Sequence, residues 1–70
     1  MCGIIGINSN KPVSATIINS LKKLEYRGYD SAGICTIEND VLSTTKCAGK
    51  VVDLENKLKK NKHKGSIGIG

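Results

Sequence analysis

The chain has 70 residues, a formal charge of +5 and neither Trp nor Phe. Tyr26 and Tyr29 are its only aromatic residues, and so short a chain buries only part of its apolar surface, so any core has to be thin and aliphatic. This composition excludes a large hydrophobic core.

The first part of the chain is predicted to form a strand and then a helix. Residues Cys2 to Ile7 are apolar and rich in β-branched side chains, which indicates a buried strand that begins at the N-terminus. Pro12 is suited to open a helix, in which Lys22, Lys23 and Glu25 take the polar face. The apolar residues that recur at helical spacing are Val13, Ile17, Ile18, Leu21 and Leu24.

A shaped turn and a β-hairpin are predicted next. Gly28 and the pair Asp30-Ser31 interrupt the helical period, which favours a turn over residues 26–31. The residues that follow are typical of two strands joined by a two-residue turn. The predicted strands cover 32–38 and 41–47, the turn is Asn39-Asp40, and Ala48-Gly49 ends the hairpin.

A second helix and a last strand complete the pattern. Val51, Leu54 and Leu58 share one side of a predicted amphipathic helix over 51–61, and the residues from 65 to 70 begin another apolar strand. This order of elements predicts an α+β unit with helices packed on an antiparallel sheet. Because the sheet is incomplete, we expect the chain to be a fragment of a larger domain.

Cys2 is the candidate catalytic residue. Removal of Met1 would place a thiol and a free α-amino group on one residue, and an amine that titrates near neutrality can accept the thiol's proton. A cysteine activated in this way attacks an amide carbonyl, forms an acyl-enzyme and is released by water. The other interpretation is that Cys2 is a small buried apolar residue at the start of a strand.

Two motifs together resemble the start of the glutamine:fructose-6-phosphate aminotransferases. The first is Met1-Cys-Gly-Ile-Ile-Gly6, whose Cys-Gly-Ile is shared by class II glutamine amidotransferases in general. The second is Leu24-Glu-Tyr-Arg-Gly-Tyr-Asp-Ser-Ala-Gly33. Its two tyrosines and its aspartate fit this family better than the amidophosphoribosyltransferases, which share Arg-Gly and Ser-Ala-Gly. Gly49-Lys50-Val51 and the last six residues also look like the family's.

The resemblance implies an incomplete N-terminal-nucleophile hydrolase fold and a glutaminase that supplies ammonia for glucosamine 6-phosphate synthesis. Cys2 maps onto the family's nucleophile, with its own α-amino group as base. Arg27, Gly28, Asp30 and Ser31 map onto a motif that we expect to shape the nucleophile's surroundings. For Arg27 the other interpretation is a salt bridge or a helix-terminal contact.

The resemblance also sets the expected ligands and boundaries. Glutamine is the implied substrate, no metal or organic cofactor is implied, and residues 1–70 all fall in the amidotransferase domain, without the sugar isomerase domain. Tyr26 and Tyr29 are expected to be packing residues.

In the family, several residues of the active site come later than this chain reaches. They are the glutamine-binding Arg and Trp, the Asn-Gly oxyanion stabiliser and a substrate-binding Asp. We therefore expect residues 1–70 to be inactive without those later residues.

Other interpretations stay open. The chain is alternatively a non-catalytic remnant, a split-gene piece that docks on a separately encoded remainder, or part of an amidophosphoribosyltransferase-like amidotransferase. A small basic binding module would rest on Lys57 to Lys64, but no aromatic residue is interleaved for base stacking, which disfavours nucleic acid. We interpret these lysines as a solvated helix end.

The cysteines indicate a reducing compartment. Cys2, Cys35 and Cys47 fit neither a disulfide framework nor a CxxC pair, and with His63 they lack the closely spaced ligand pairs of structural zinc sites. Cys35 and Cys47 lie on the two arms of the predicted hairpin and could face each other there, but small buried thiols in a reduced protein are the simpler interpretation. The apolar N-terminal run is too short for a signal peptide or a membrane span, so we expect a cytoplasmic protein.

Overall fold

The computed structural model describes residues 3–70, apart from the side chain of Arg27. Met1 and Cys2 lie outside the described residues. The elements in chain order are β1 (Gly6–Asn8), α1 (Ser14–Leu24), a 3₁₀ turn (Glu25–Arg27), β2 (Ser31–Glu38), β3 (Val41–Ala48), α2 (Val51–Leu58) and β4 (Ile67–Ile69). The predicted α+β class, with helices packed on an antiparallel sheet, is confirmed.

The strands form one antiparallel sheet in the order β1-β4-β2-β3. β2 and β3 pair along their whole length, from Ser31 opposite Ala48 to Glu38 opposite Val41. β4 lies between β1 and β2, and its Ile69 is opposite a residue of each neighbour. The last strand in sequence is therefore a central strand, and it holds the first strand in the sheet.

The hairpin turn has the conformation that its sequence predicts. Asn39 has a φ of 52° and Asp40 a φ of 64°, so both central residues are left-handed, as a type I′ turn requires. Asn and Asp tolerate this region better than other residues with a side chain. The turn therefore fixes the register of β2 and β3 locally.

Both helices pack on one face of the sheet and form the core with it. The buried apolar residues are Val13, Ile17, Ile18, Leu21, Ile34, Val51 and Leu54. These include most of the apolar stripe predicted for α1, and Leu58 packs against them as the pattern of α2 predicts. Leu24 is an exception, because 42% of it is exposed where α1 ends.

The opposite face of the sheet is open and apolar. Alternation along β2 directs Ile34 and Thr36 into the core and leaves Cys35 and Ile37 on this open face. The large apolar side chains exposed there are Ile4, Ile37, Leu42, Ile67 and Ile69. Residues 3–70 thus form two layers, with the helices on one face of a single sheet and the other face uncovered.

Several predicted boundaries are wrong. The N-terminal strand begins at Gly6 and is only partly buried, because Ile7 packs against the core while Gly6 and Asn8 are exposed. α1 begins at Ser14 and not at Pro12. α2 ends at Leu58 and not at Asn61, because turn-type bonds between residues three apart follow, from Lys59 N to the Asn56 carbonyl and from Lys60 N to the Lys57 carbonyl.

Candidate active site

The predicted nucleophile Cys2 lies outside the described residues, but the residue that follows it is well placed by the fold. A Cβ added to Gly3 would lie 2.7 Å from Leu24 Cδ1, which is a closer approach than a side chain allows. The backbone that leads to Cys2 therefore lies directly on the last residue of α1.

The loop that follows α1 carries the rest of the predicted site. After the 3₁₀ turn, Gly28 N donates to the Glu25 carbonyl at 2.9 Å, and Gly28 has a φ of 120°. An added Cβ at Gly28 would meet nothing within 4 Å, so the backbone angle alone calls for glycine here. The predicted shaped turn is confirmed.

One cleft joins Gly3 to this loop. The cleft has a volume of about 220 Å³ and is lined by Gly3, Leu21, Leu24, Glu25, Gly28, Tyr29, Asp30, Ser31 and Val51. Cavities for drug-sized ligands measure roughly 300–1,000 Å³, so this cleft alone is too small for such a ligand. The structure thus brings Gly28, Asp30 and Ser31 beside the neighbour of Cys2. The side chain of Arg27 is outside the description.

The far side of the loop is tied to the segment before α2. Gly49 N donates to the Asp30 carbonyl at 2.8 Å, and Ser31 pairs with Ala48 at the end of the hairpin. The Lys50 ammonium lies 5.2 Å from the centre of the Tyr29 ring, within range of a cation–π interaction. The motif from Leu24 to Gly33 is therefore in contact with Gly49-Lys50-Val51, the later stretch that also looks like the family's.

Glu25 is a residue of this site, although its place in the sequence pattern indicates only the polar face of a helix. Its Oε2 accepts a hydrogen bond from Val51 N at 2.7 Å, in partly buried surroundings. The only sequence signal for this contact was a carboxylate's general preference for helix N-termini, and that preference does not say which helix.

The tyrosines of the motif do not pack in the core. Tyr26 is 75% exposed and Tyr29 is 57% exposed, so the expectation that their rings supply apolar bulk is wrong. The physical reason is that the core is already filled by the aliphatic residues of α1, α2 and β2. Tyr29 instead forms part of the cleft wall.

The alternative metal ligands lie apart. Cys35 is opposite Thr44, and Cys47 is opposite Ala32 on the other face of the sheet, so these thiols do not face each other. Both are free and only partly buried. Within residues 3–70, no group of three or more His, Cys, Asp or Glu side chains is arranged to hold a metal ion.

His63 is buried and has a structural contact on each ring nitrogen. Its Nδ1 lies 2.7 Å from Thr36 Oγ1, and its Nε2 lies 2.8 Å from Thr45 Oγ1. Burial lowers the pKa of His63 below its ordinary value. The ring therefore links β2, β3 and the loop before β4. Its burial could not be predicted from the sequence, because the lysines around it indicate an exposed segment.

Those lysines form an exposed surface, as expected. Lys59, Lys60, Lys62 and Lys64 are all exposed, and Lys57 Nζ donates to the Lys46 carbonyl at 2.7 Å.

Neither helix in the described part of the chain is long and apolar enough to cross a bilayer.

Relatives of this chain from several bacteria bear the same name. No protein-family model matches the chain. It is 57% identical over 70 residues to a glutamine–fructose-6-phosphate aminotransferase (isomerizing) of Bartonella quintana, 53% to that of Bartonella henselae and 49% to that of Clostridium acetobutylicum. Each match covers 100% of this chain but only 12% of the relative. The chain is therefore homologous, over its whole length, to the N-terminal part of the glutamine–fructose-6-phosphate aminotransferases.

Proposed function

We propose that this chain is the nucleophile-bearing part of a glutamine-hydrolysing domain, whose ammonia goes to an aminotransfer reaction on fructose 6-phosphate. The observation that supports this most strongly is the cleft in which Gly3, next to Cys2, meets Gly28, Asp30 and Ser31. The relatives' name pairs glutamine with fructose 6-phosphate, which favours this acceptor over the phosphoribosyl acceptor of the amidophosphoribosyltransferases.

The proposed chemistry uses both functional groups of Cys2 after Met1 is removed. The α-amino group accepts the thiol proton, and the thiolate attacks the side-chain amide carbon of glutamine. The C–N bond breaks as the proton returns to the leaving nitrogen, so that ammonia departs and a thioester remains. Water then attacks the thioester, releasing glutamate and restoring the thiol.

The loop residues have supporting roles in this proposal. The Gly28 backbone lets the chain reverse in the cleft that Gly3 also lines, and the Asp30 carbonyl anchors the loop by accepting a hydrogen bond from Gly49 N. Arg27 and Ser31 complete the same motif. Cys2, Arg27, Gly28, Asp30 and Ser31 are the residues that we assign to the site.

We also propose that the domain is an N-terminal-nucleophile hydrolase fold in which another layer covers the open face of the sheet. Ile4, Ile67 and Ile69 are 80%, 44% and 54% exposed on that face, and contiguous apolar surface of this kind is normally covered. Further residues of the amidotransferase domain are the proposed cover, because the chain spans only 12% of its relatives.

A chimera tests the function. This chain would replace the matched 70 residues of the Bartonella quintana relative, and glutamate release and glucosamine 6-phosphate formation would be measured. We expect both activities, and we expect both to fall to background in Cys2→Ala. Cys35→Ala is the matched thiol control and should remain active. Undiminished glutamate release in Cys2→Ala would refute the proposal.

A further inference from the structure

The carboxylate of Glu25 joins the end of one helix to the beginning of the other, beside the cleft. It accepts the Val51 N–H at 2.7 Å across 26 residues of sequence. Lys50, the residue before α2, offers no acceptor of its own, so Glu25 supplies this bond from outside the helix. Glu25 also lines the cleft together with Val51.

The hydrogen bond between Glu25 and Val51 N lies between the two parts of the cleft, which are the Gly3 backbone and the loop that carries Gly28 and Asp30. Leu24, one residue before, supports the Gly3 backbone. The Glu25 carbonyl accepts from Gly28 N at 2.9 Å, which shapes the first part of the loop. Further along, the Asp30 carbonyl is held by Gly49 N at 2.8 Å. The loop is thus attached at both ends to the short segment from Gly49 to Val51.

We infer that Glu25 is a positioning residue for the proposed glutamine hydrolysis, an inference that rests on the function proposed above. Its carboxylate holds the end of α1 and the loop in register with α2, so that Gly3 lines the same cleft as Gly28, Asp30 and Ser31. Because Glu25 is engaged with a backbone amide, its loss changes the alignment of the reacting groups more than the affinity for glutamine. The signature is a lower kcat with little change in KM.

The kinetic test compares Glu25→Ala, Glu25→Gln and Asp53→Ala in the chimera. Asp53 is the matched control, because its Oδ2 accepts the Lys50 N–H at 3.0 Å at the same helix end and lies outside the cleft. We expect Glu25→Ala to lower kcat by roughly ten- to a hundredfold. Glu25→Gln keeps an acceptor oxygen and should stay within about threefold of the parent. Asp53→Ala should leave kcat unchanged. Equal kcat values for Glu25→Ala and Asp53→Ala would overturn the inference.

Amide hydrogen exchange of the chimera, followed by mass spectrometry, tests the same bond without measuring activity. In Glu25→Ala, protection of the Val51 and Gly49 amides should fall by about tenfold or more, whereas in Asp53→Ala the Lys50 amide should lose protection and Gly49 should keep it. Unchanged exchange at Val51 and Gly49 in Glu25→Ala would refute the positioning role alone. An inactive parent chimera would instead refute the function, so the two failures are distinguishable.

Discussion

Gly3 and Leu24 are in direct contact, with an added Cβ on Gly3 falling 2.7 Å from Leu24 Cδ1 and 3.1 Å from Leu24 Cβ. This contact lies one residue from the proposed nucleophile. We predict that Gly3→Ala lowers glutamate release by the chimera by roughly tenfold or more, because the methyl group displaces the N-terminal backbone from α1. Leu24→Ala in the same protein makes room for the methyl group and should restore much of the activity. Parent-like activity in Gly3→Ala alone would show that the contact does not constrain Cys2.

Gly28 should not tolerate a side chain, for purely conformational reasons. Its φ is 120°, and an added Cβ has open space around it, so any cost comes from the backbone. We predict that Gly28→Ala lowers the free energy of unfolding by about 1–3 kcal/mol, measured by urea unfolding of the chain. The matched control is Gly6→Ala, whose Cβ would make an ordinary 3.7 Å contact with Ile69. Equal stability of the two variants would contradict this assignment.

His63 should make the stability of the chain depend on pH. Burial lowers its pKa in the folded state, while the unfolded chain keeps a pKa of about 6.5. Below about pH 6.5 the unfolded chain takes up a proton that the folded chain resists, so the free energy of unfolding falls as the pH drops from there. Above that pH, His63 contributes no pH dependence.

The test of this pH dependence is urea unfolding between about pH 8 and about pH 5. His63→Gln is the matched variant, because an amide keeps one donor and one acceptor for Thr36 and Thr45 but does not titrate. Lys57 and Lys62 line one groove together with His63. We expect a loss of stability on acidification in the parent and a smaller loss in His63→Gln. Equal slopes would show that His63 is not the titrating group.

The surface ion pair between α1 and α2 should contribute little. Lys22 Nζ lies 2.8 Å from Glu55 Oε1, but the two side chains are 41% and 40% exposed, so water screens the interaction. We predict that Glu55→Ala changes the free energy of unfolding by less than about 1 kcal/mol, and by still less at high salt. A larger, salt-independent loss, measured by urea unfolding, would show that this pair is needed to join the helices.

Local signals in the sequence were sufficient for the elements themselves. The spacing of Ile17, Ile18 and Leu21 predicts the buried stripe of α1, and Asn39-Asp40 predicts the left-handed turn of the hairpin. Both depend on residues only a few positions apart, where side-chain period and backbone preference act directly.

Contacts between residues far apart in the sequence could not be predicted from such local signals. Nothing local places β4 between β1 and β2, and the mutual hydrogen bonds of Ile5 and Gly70 join residues at opposite ends of the chain. The bond from Val51 N to Glu25 spans 26 residues. His63 stands among lysines whose charges suggest a solvated surface, although its own ring is buried.

The placement of the site was only partly predictable. The resemblance pointed to Gly28, Asp30 and Ser31, which do line the cleft with Gly3, but it gave no role to Glu25. It also did not indicate that Tyr26 and Tyr29 are exposed, because side-chain type alone favours burying aromatic rings in a chain that has few of them.

The central claim is that Cys2, freed of Met1, is the nucleophile. Mass spectrometry of the N-terminal peptide of the chimera, after reaction with an electrophilic glutamine analogue, tests it most directly. We predict a peptide that begins at Cys2 and carries one molecule of the reagent on that residue. A peptide that retains Met1, or a reagent bound only elsewhere, would contradict the proposed mechanism.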